Sequence, residues 1–299
     1  MEENTLEVTE RSEVFEFTSL REMVNQTLHQ NFGENTVFNG LSSGFTDIDK
    51  VISGFKKGEL ITIGVNAGMG KTAFMLSLAN NIAIKNKHSI AIFSPERSST
   101  KITNRLIESE TGMSLSKLKN GKLNPREKDH MISLVSNIAK SNVYLDDTPN
   151  IFADELMKKA RQLKINQNIE LIIIDYLELL GAHSLDADSR EEQLSTIVHQ
   201  IKDIARELNI PVVLFSQIPG NFNGFGSPRP SLKNIPVSLA ELSDVVMFLH
   251  RTDLFPNLSE GETRQQNLVD VIIGKFQEHN EEVVVPVRFI ESLAKFTDF

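Results

Sequence analysis

Leu60-Ile-Thr-Ile-Gly-Val65 runs without a break into Asn66-Ala-Gly-Met-Gly70 and then into Lys71-Thr-Ala-Phe-Met-Leu76. An apolar strand-like run, a glycine-bearing turn and a helix-compatible stretch, in that order, form the setting in which a phosphate-binding loop works. The turn presents backbone N–H groups to a β-phosphate at a helix N-terminus, and Gly68 and Gly70 let the main chain come close. Lys71 would place its ammonium on the β- and γ-oxygens, and Thr72 would offer a hydroxyl to Mg²⁺. Gly68, Met69, Gly70, Lys71, Thr72 and Ala73 are therefore the candidate nucleotide-binding residues. One position departs from the written motif G-x-x-x-x-G-K-S/T: its first glycine falls at Val65, and Gly64 stands one residue early.

Working outward, Ser89–Ser94, Leu171–Asp175, Pro211–Ser216 and Asp244–Leu249 repeat the character of Leu60–Val65. They are short, apolar on both faces and rich in Ile and Val. Runs of that kind predict buried parallel strands, and the stretches between them are long enough for crossover helices. Leu268–Gly274 and Glu282–Phe289 flank a polar connection and predict an antiparallel hairpin. The expected fold is α/β: a mainly parallel central sheet flanked by helices, with a C-terminal hairpin.

Ahead of this domain, residues 1–17 are rich in Glu and Thr and read as an acidic mobile tail. Ser19 and Glu22 have the form of a capping box, and Leu20, Met23, Val24, Leu28 and Phe32 recur at helical spacing. Residues 18–39 are thus expected to be a short amphipathic helix and a connection, and residues 40–299 the main domain. The apolar stripe of that helix must pack either on its own domain or on a neighbouring subunit.

The composition narrows the function. A net charge of -9 argues against a protein held on nucleic acid by bulk charge, without excluding a local basic channel. No cysteine is present, which removes disulfides, thiol nucleophiles and cysteine-based zinc sites. The seven histidines show no metal-ligand spacing. No signal-type segment opens the chain and no apolar run approaches the length of about 18 residues that a membrane span needs, so a soluble, cytoplasmic protein is expected.

A phosphate-binding loop that hydrolyses its nucleotide also needs an acid for the metal and a base for the attacking water. Asp175 ends a fully apolar run and so falls at the carboxyl edge of the sheet, where ligands of open α/β sheets collect. It is the candidate metal-binding acid, with Thr72. Glu96 follows the run Ser89–Ser94 at the same edge and is either the base or a solvated surface group. Gln217 follows a third buried run and either senses a γ-phosphate or caps the strand end.

Together these stretches resemble the C-terminal motor domain of DnaB-type replicative helicases, a branch of the RecA-like hexameric ATPases. The resemblance runs from about Gly40 to the C-terminus. Gly44-Phe-Thr-Asp-Ile-Asp49, Met69-Gly-Lys-Thr-Ala-Phe74, Phe93-Ser-Pro-Glu96, Ile174-Asp-Tyr-Leu-Glu178, Ser189-Arg-Glu-Glu192, Ser216-Gln217 and Ile272-Ile-Gly-Lys275 fall in the family's order. The resemblance implies a RecA-like core, Mg-ATP at subunit interfaces, a homo-oligomeric ring of six subunits, single-stranded DNA in the channel and replication proteins as partners. It implies catalytic roles for Glu96, Lys71 and Gln217, DNA contacts for Lys233 and Arg190, and a reach of Lys275 towards the neighbouring site. Arg105 and Arg251 stand where members carry arginines, and either face the nucleotide or form surface ion pairs. The linker helix of the family docks on the adjacent subunit, whereas its N-terminal collar domain finds no counterpart here.

Three departures bear on activity. The family's trans-acting arginine falls on Gln277, and a neutral amide cannot replace a charge that contributes about 10³ to 10⁵ in rate. In the DNA-contacting loop, the glycine position falls on Pro236 or Val237, and Lys233 replaces an arginine, losing its bidentate fork. The Asn-Arg pair after Ser-Gln is Pro219-Gly220, opening a loop-like stretch. Two functions stay open: an ATP-driven helicase motor, or a degenerate ATP-binding paralogue with weak or no unwinding that regulates or joins a replication complex. The Lys158-Lys159-Arg161-Lys164 cluster reads either as a DNA patch or as a solvated helix face.

Overall fold

Short runs apolar on both faces build the centre of a nine-stranded sheet in the computed structural model. It describes residues 39–113, 124–181, 189–218, 229–251, 267–276 and 281–299, and Leu20. The chain divides into two compact units, Met1–Val37 and Phe38–Phe299. The acidic tail and, Leu20 apart, the expected linker helix lie outside the described residues.

Within the larger unit the elements in chain order begin with α1 (Thr46–Ile52), β1 (Leu60–Asn66) and α2 (Lys71–Ala79), which continues as a π-helical turn over Asn80–Lys85. There follow β2 (Ile90–Phe93), α3 (Ser99–Thr111), α4 (Pro125–Ala139), β3 (Val143–Asp146), α5 (Ala153–Gln167) and β4 (Leu171–Ile174). The remainder comprises α6 (Arg190–Leu208), β5 (Val212–Ile218), α7 (Val237–Leu242), β6 (Val245–His250), β7 (Leu268–Phe276), β8 (Val283–Ile290) and β9 (Lys295–Asp298).

The strand order is β3-β2-β4-β5-β1-β6-β7-β8-β9. From β3 to β6 neighbouring strands are parallel, and from β6 to β9 they are antiparallel. The expected mainly parallel sheet with a C-terminal hairpin is present. Two strands escape the apolar-run criterion. In β3 all four residues are only half-buried, and in β9 Phe296 is the single buried residue. Phe296 binds there because its N–H donates to Ser77 Oγ at 2.9 Å and its ring meets that of Phe74 edge-on at 5.3 Å.

Alternate residues of the central strands feed two cores. Ile61, Ile63, Val213 and Phe215 face the layer containing α2 and α3, whereas Leu60, Val212 and Leu214 face the layer containing α5 and α6. This is the pleat of a sheet covered on both sides. Helix α6 starts at a capping box, in which Ser189 Oγ accepts from Glu192 N–H and Glu192 accepts from Ser189 N–H. It presents Leu194, Ile197, Val198, Ile201 and Ile204 to the core at helical spacing and stops at Asn209, which is left-handed. The carboxyl ends of β1, β2, β4 and β5 consequently share one rim, and β1 lies between β5 and β6, so chain order reverses there. Such a reversal of strand order opens a crevice at that rim.

Candidate functional site

The loop between β1 and α2 turns through Gly68 at φ +80° and Gly70 at φ +96°, a region closed to most side-chain-bearing residues. A Cβ on Gly68 would project into open space, whereas one on Gly70 would press on the Phe296 ring at 3.1 Å. The displaced glycine of the motif has a packing reason. At Gly64 a Cβ would lie 2.7 Å from a Phe248 ring carbon, so Gly64 serves the close contact with β6 rather than the loop. Met69 turns its side chain into the core at 1 % exposure, and its N–H donates to Asn66 C=O at 3.2 Å. Helix α2 starts at Lys71, so its first-turn N–H groups lack partners within the helix and open onto the loop.

A cavity of about 480 Å³ lies over this helix start. Gly68, Gly70, Lys71, Thr72 and Ala73 line one side, and Glu96, Gln217, Arg105 and Arg251 line the others. The candidates from five separate stretches of sequence are thus brought together. Lys71 is their hub: its ammonium is 2.7 Å from Glu96 Oε2, 2.7 Å from Asp175 Oδ1 and 3.4 Å from the centre of the Tyr176 ring. Glu96 is 32 % exposed, open to water as a base must be. Asp175 is fully buried.

Burial raises the Asp175 carboxyl above its ordinary range, and the Lys71 charge opposes that rise without cancelling it. Its Oδ1 is held by the Lys71 ammonium at 2.7 Å, an ionic contact. A group whose folded pKa is raised binds its proton more tightly folded than unfolded. Stability therefore falls as pH rises from about 4, the unfolded carboxyl value, through the raised folded value. Asp175→Asn is expected to remove that fall. In buffer free of metal and nucleotide its melting temperature should exceed that of the wild type near neutral pH, by about 2–4 °C for each kcal/mol of charge burial removed. The gap should close towards about pH 4, and a pH-independent gap would contradict this assignment.

Several participants carried no separate signal in the sequence. Arg97 donates from Nε to Thr72 Oγ1 at 3.2 Å and stands 3.6 Å from Glu96 Oε1, bridging loop helix and base. Its neighbour Glu96 is the one clue to it. Tyr176 lies beneath Lys71, and Phe289 and Ala294 line the far side of the cavity, where Arg251 stands over the Phe289 ring at 4.6 Å. Arg251, 7 % exposed, and Arg105 both line the cavity.

Other candidates lie elsewhere. Lys275 is not at this cavity: its ammonium donates to the carbonyls of Ala240 and Glu241, both at 2.9 Å, near the end of α7. Burial lowers its pKa. Lys233 is exposed on the short turn Leu232–Asn234, and Pro236 sits at the N-cap of α7 with Val237 first in the helix. Arg190 donates to the carbonyls of Glu178 at 2.8 Å and Leu180 at 3.4 Å. Gln277 and Pro219-Gly220 lie outside the described residues. The basic helix cluster is committed within the chain: Lys158 pairs with Asp154, Lys159 with Asp146 and Arg161 with Glu207. That favours the solvated-face reading over a DNA patch.

Among the described residues, no group of three or more His, Cys, Asp or Glu side chains would hold a metal by itself, and no helix is long and apolar enough to cross a membrane. Comparison with known proteins agrees with the geometry. Residues 40–298 match the DnaB-like helicase C terminal domain. The chain is 31% identical to replicative DNA helicase DnaC of Bacillus subtilis (strain 168) over 305 aligned positions, covering 99% of this chain and 65% of that relative. It therefore spans less than two thirds of the relative's length. The solved ATPase domain of G40P superimposes with a TM-score of 0.84 at 26% identity, over 95% of this chain and 100% of that one. A DnaB-like replicative helicase, solved in a study of its interactions with primase, gives 0.82 at 26% identity, over 95% of this chain and 68% of that one. With the family match over nearly all of the larger unit and a RecA-like core around the Lys71 cavity, this chain belongs to the DnaB-like helicase C-terminal domain family.

Proposed function

We propose that the chain is the motor of a cytoplasmic, ATP-dependent replicative DNA helicase, binding Mg-ATP in the Lys71 cavity and translocating on single-stranded DNA. The observation that carries this reading is that Lys71, Thr72 and Glu96 line one cavity beside a helix N-terminus, with the buried Asp175 directly behind Lys71 at 2.7 Å. The donors suit magnesium. Thr72 Oγ1 and the buried carboxylate of Asp175 are hard oxygen ligands, and nucleotide-bound Mg²⁺ needs only one or two of these from protein. When bound, the ion would neutralise charge on the β- and γ-phosphates.

In the hydrolysis we infer, the water oxygen bonds to the γ-phosphorus as the bond to the β,γ-bridging oxygen breaks, and Glu96 takes the water proton. Lys71 and the first-turn N–H groups of α2 hold the phosphates in place. Gln217 stands at the cavity wall, suited to contact the γ-phosphate. Lys275, remote from its own cavity, would serve that of a neighbouring subunit in a six-membered ring, while Lys233 and Arg190 would face DNA. The relatives' involvement in replication, and one relative's interaction with primase, support replication proteins as partners.

A second reading, an ATP-binding paralogue with little unwinding, is favoured by Gln277 at the place of the trans-acting arginine. Strand displacement on a forked DNA duplex separates the two. The motor should release the strand with ATP and Mg²⁺ but not with ADP. The paralogue should release little or none, and Gln277→Arg should then restore a measurable part of a contribution on the order of 10³ or more.

A further inference from the structure

We propose that Glu178 is a positioning residue that fixes Gln217 at the cavity and so sets how strongly the site distinguishes a triphosphate from a diphosphate. This rests on reading the cavity as a nucleotide site. Glu178 lies in the short turn Leu177–Leu179 just beyond β4, a turn closed by Leu179 N–H to Tyr176 C=O at 3.2 Å and Leu180 N–H to Leu177 C=O at 3.0 Å. Its carboxylate reaches two consecutive residues of β5. One oxygen accepts from Ser216 Oγ at 2.6 Å, and the other accepts from the N–H of Gln217 at 3.1 Å.

The placement has a consequence for the sheet. Pairing of β4 with β5 ends at Ile174 opposite Leu214, yet β5 continues to Ile218. On the β4 side, the Glu178 side chain takes over where the ladder stops. Gln217 is the one exposed position in β5, and it lines the cavity. A long polar side chain at a strand end has many rotamers to sample, so its reach is defined only if the main chain that carries it is held. Arg190 secures the other end of the arrangement, its guanidinium donating to the Glu178 carbonyl at 2.8 Å. Glu178 touches no reacting group itself; it acts through Gln217.

The test is equilibrium binding of ATPγS and of ADP, each with Mg²⁺, to the full chain and its variants. The wild type should prefer ATPγS. Glu178→Ala should lose about tenfold of that preference, the scale of a hydrogen-bonded charge, while its affinity for ADP stays within about twofold. Gln217→Ala should lose a similar amount, and the double variant no more than either single one, because both changes remove the same contact. Glu178→Gln should keep the preference: its amide oxygen can accept from Gln217 N–H, and its NH₂ can donate to Ser216, whose hydroxyl accepts as well as donates. A purely structural role for Glu178 would instead weaken ATPγS and ADP alike. That result, multiplying effects in the double variant, or an unchanged preference would overturn the proposal. A wild type that binds both nucleotides without preference would overturn it too, leaving the nucleotide site standing. A wild type that binds neither would overturn the nucleotide reading as well.

Discussion

Glu96→Gln is expected to slow ATP turnover by about 100-fold or more while leaving Mg-ATP affinity close to that of the wild type. The carboxylate that would take the water proton becomes an amide that cannot, whereas the shape and most of the packing are retained. Glu96 is partly exposed and lies after β2, outside the phosphate loop itself, so its loss does not disturb the N–H groups of α2. Its ionic contact with Lys71 is replaced by a neutral one, and Lys71 keeps Asp175 at 2.7 Å. Single-turnover hydrolysis alongside equilibrium nucleotide binding checks this. An affinity loss as large as the rate loss would show that Glu96 holds the loop rather than the water.

Lys71→Ala should give the opposite pattern, weakening Mg-ATP binding itself by about 100-fold or more, since it removes a charged partner from a desolvated site. Two effects add. The phosphates lose an ammonium, and Glu96 and the fully buried Asp175 lose the cation that stands between them. With Lys71 gone, the largest opposition to the raised Asp175 pKa is removed, Arg97 alone still opposing it, and the carboxyl is driven further towards its neutral form. Calorimetric titration of the wild type and Lys71→Ala with Mg-ATP measures the loss. Affinity equal to that of the wild type would place the phosphates away from the α2 N-terminus.

The features legible in the sequence were those carried by local pattern. The loop at Gly68 to Thr72 announced itself because strand, turn and helix are contiguous, and Asp175 and Glu96 because each follows an apolar run whose end defines the sheet rim. The parallel core followed from runs too apolar to have an exposed face. Strands β3 and β9 did not follow, since one is half-buried throughout and the other depends on a single phenylalanine reaching α2. Arg97, Tyr176 and Glu178 were hidden for a related reason. Each acts on a residue of another element, through contacts that only the packed sheet creates. Gly64 shows the converse: a motif residue that looked misplaced is explained by Phe248 on a strand far along the chain. The family resemblance, given by motif order, supplied what no single motif could, namely the expectation that Lys275 works away from its own cavity.

Whether the loop drives movement on DNA turns on one coupling, that between the Lys71 cavity and single-stranded DNA. The direct measurement is the steady-state rate of ATP hydrolysis by the wild type with and without saturating single-stranded DNA, with Lys71→Ala as the blank. The motor reading predicts turnover that rises with DNA and vanishes in Lys71→Ala. Hydrolysis indifferent to DNA, or equal in the two proteins, would contradict it.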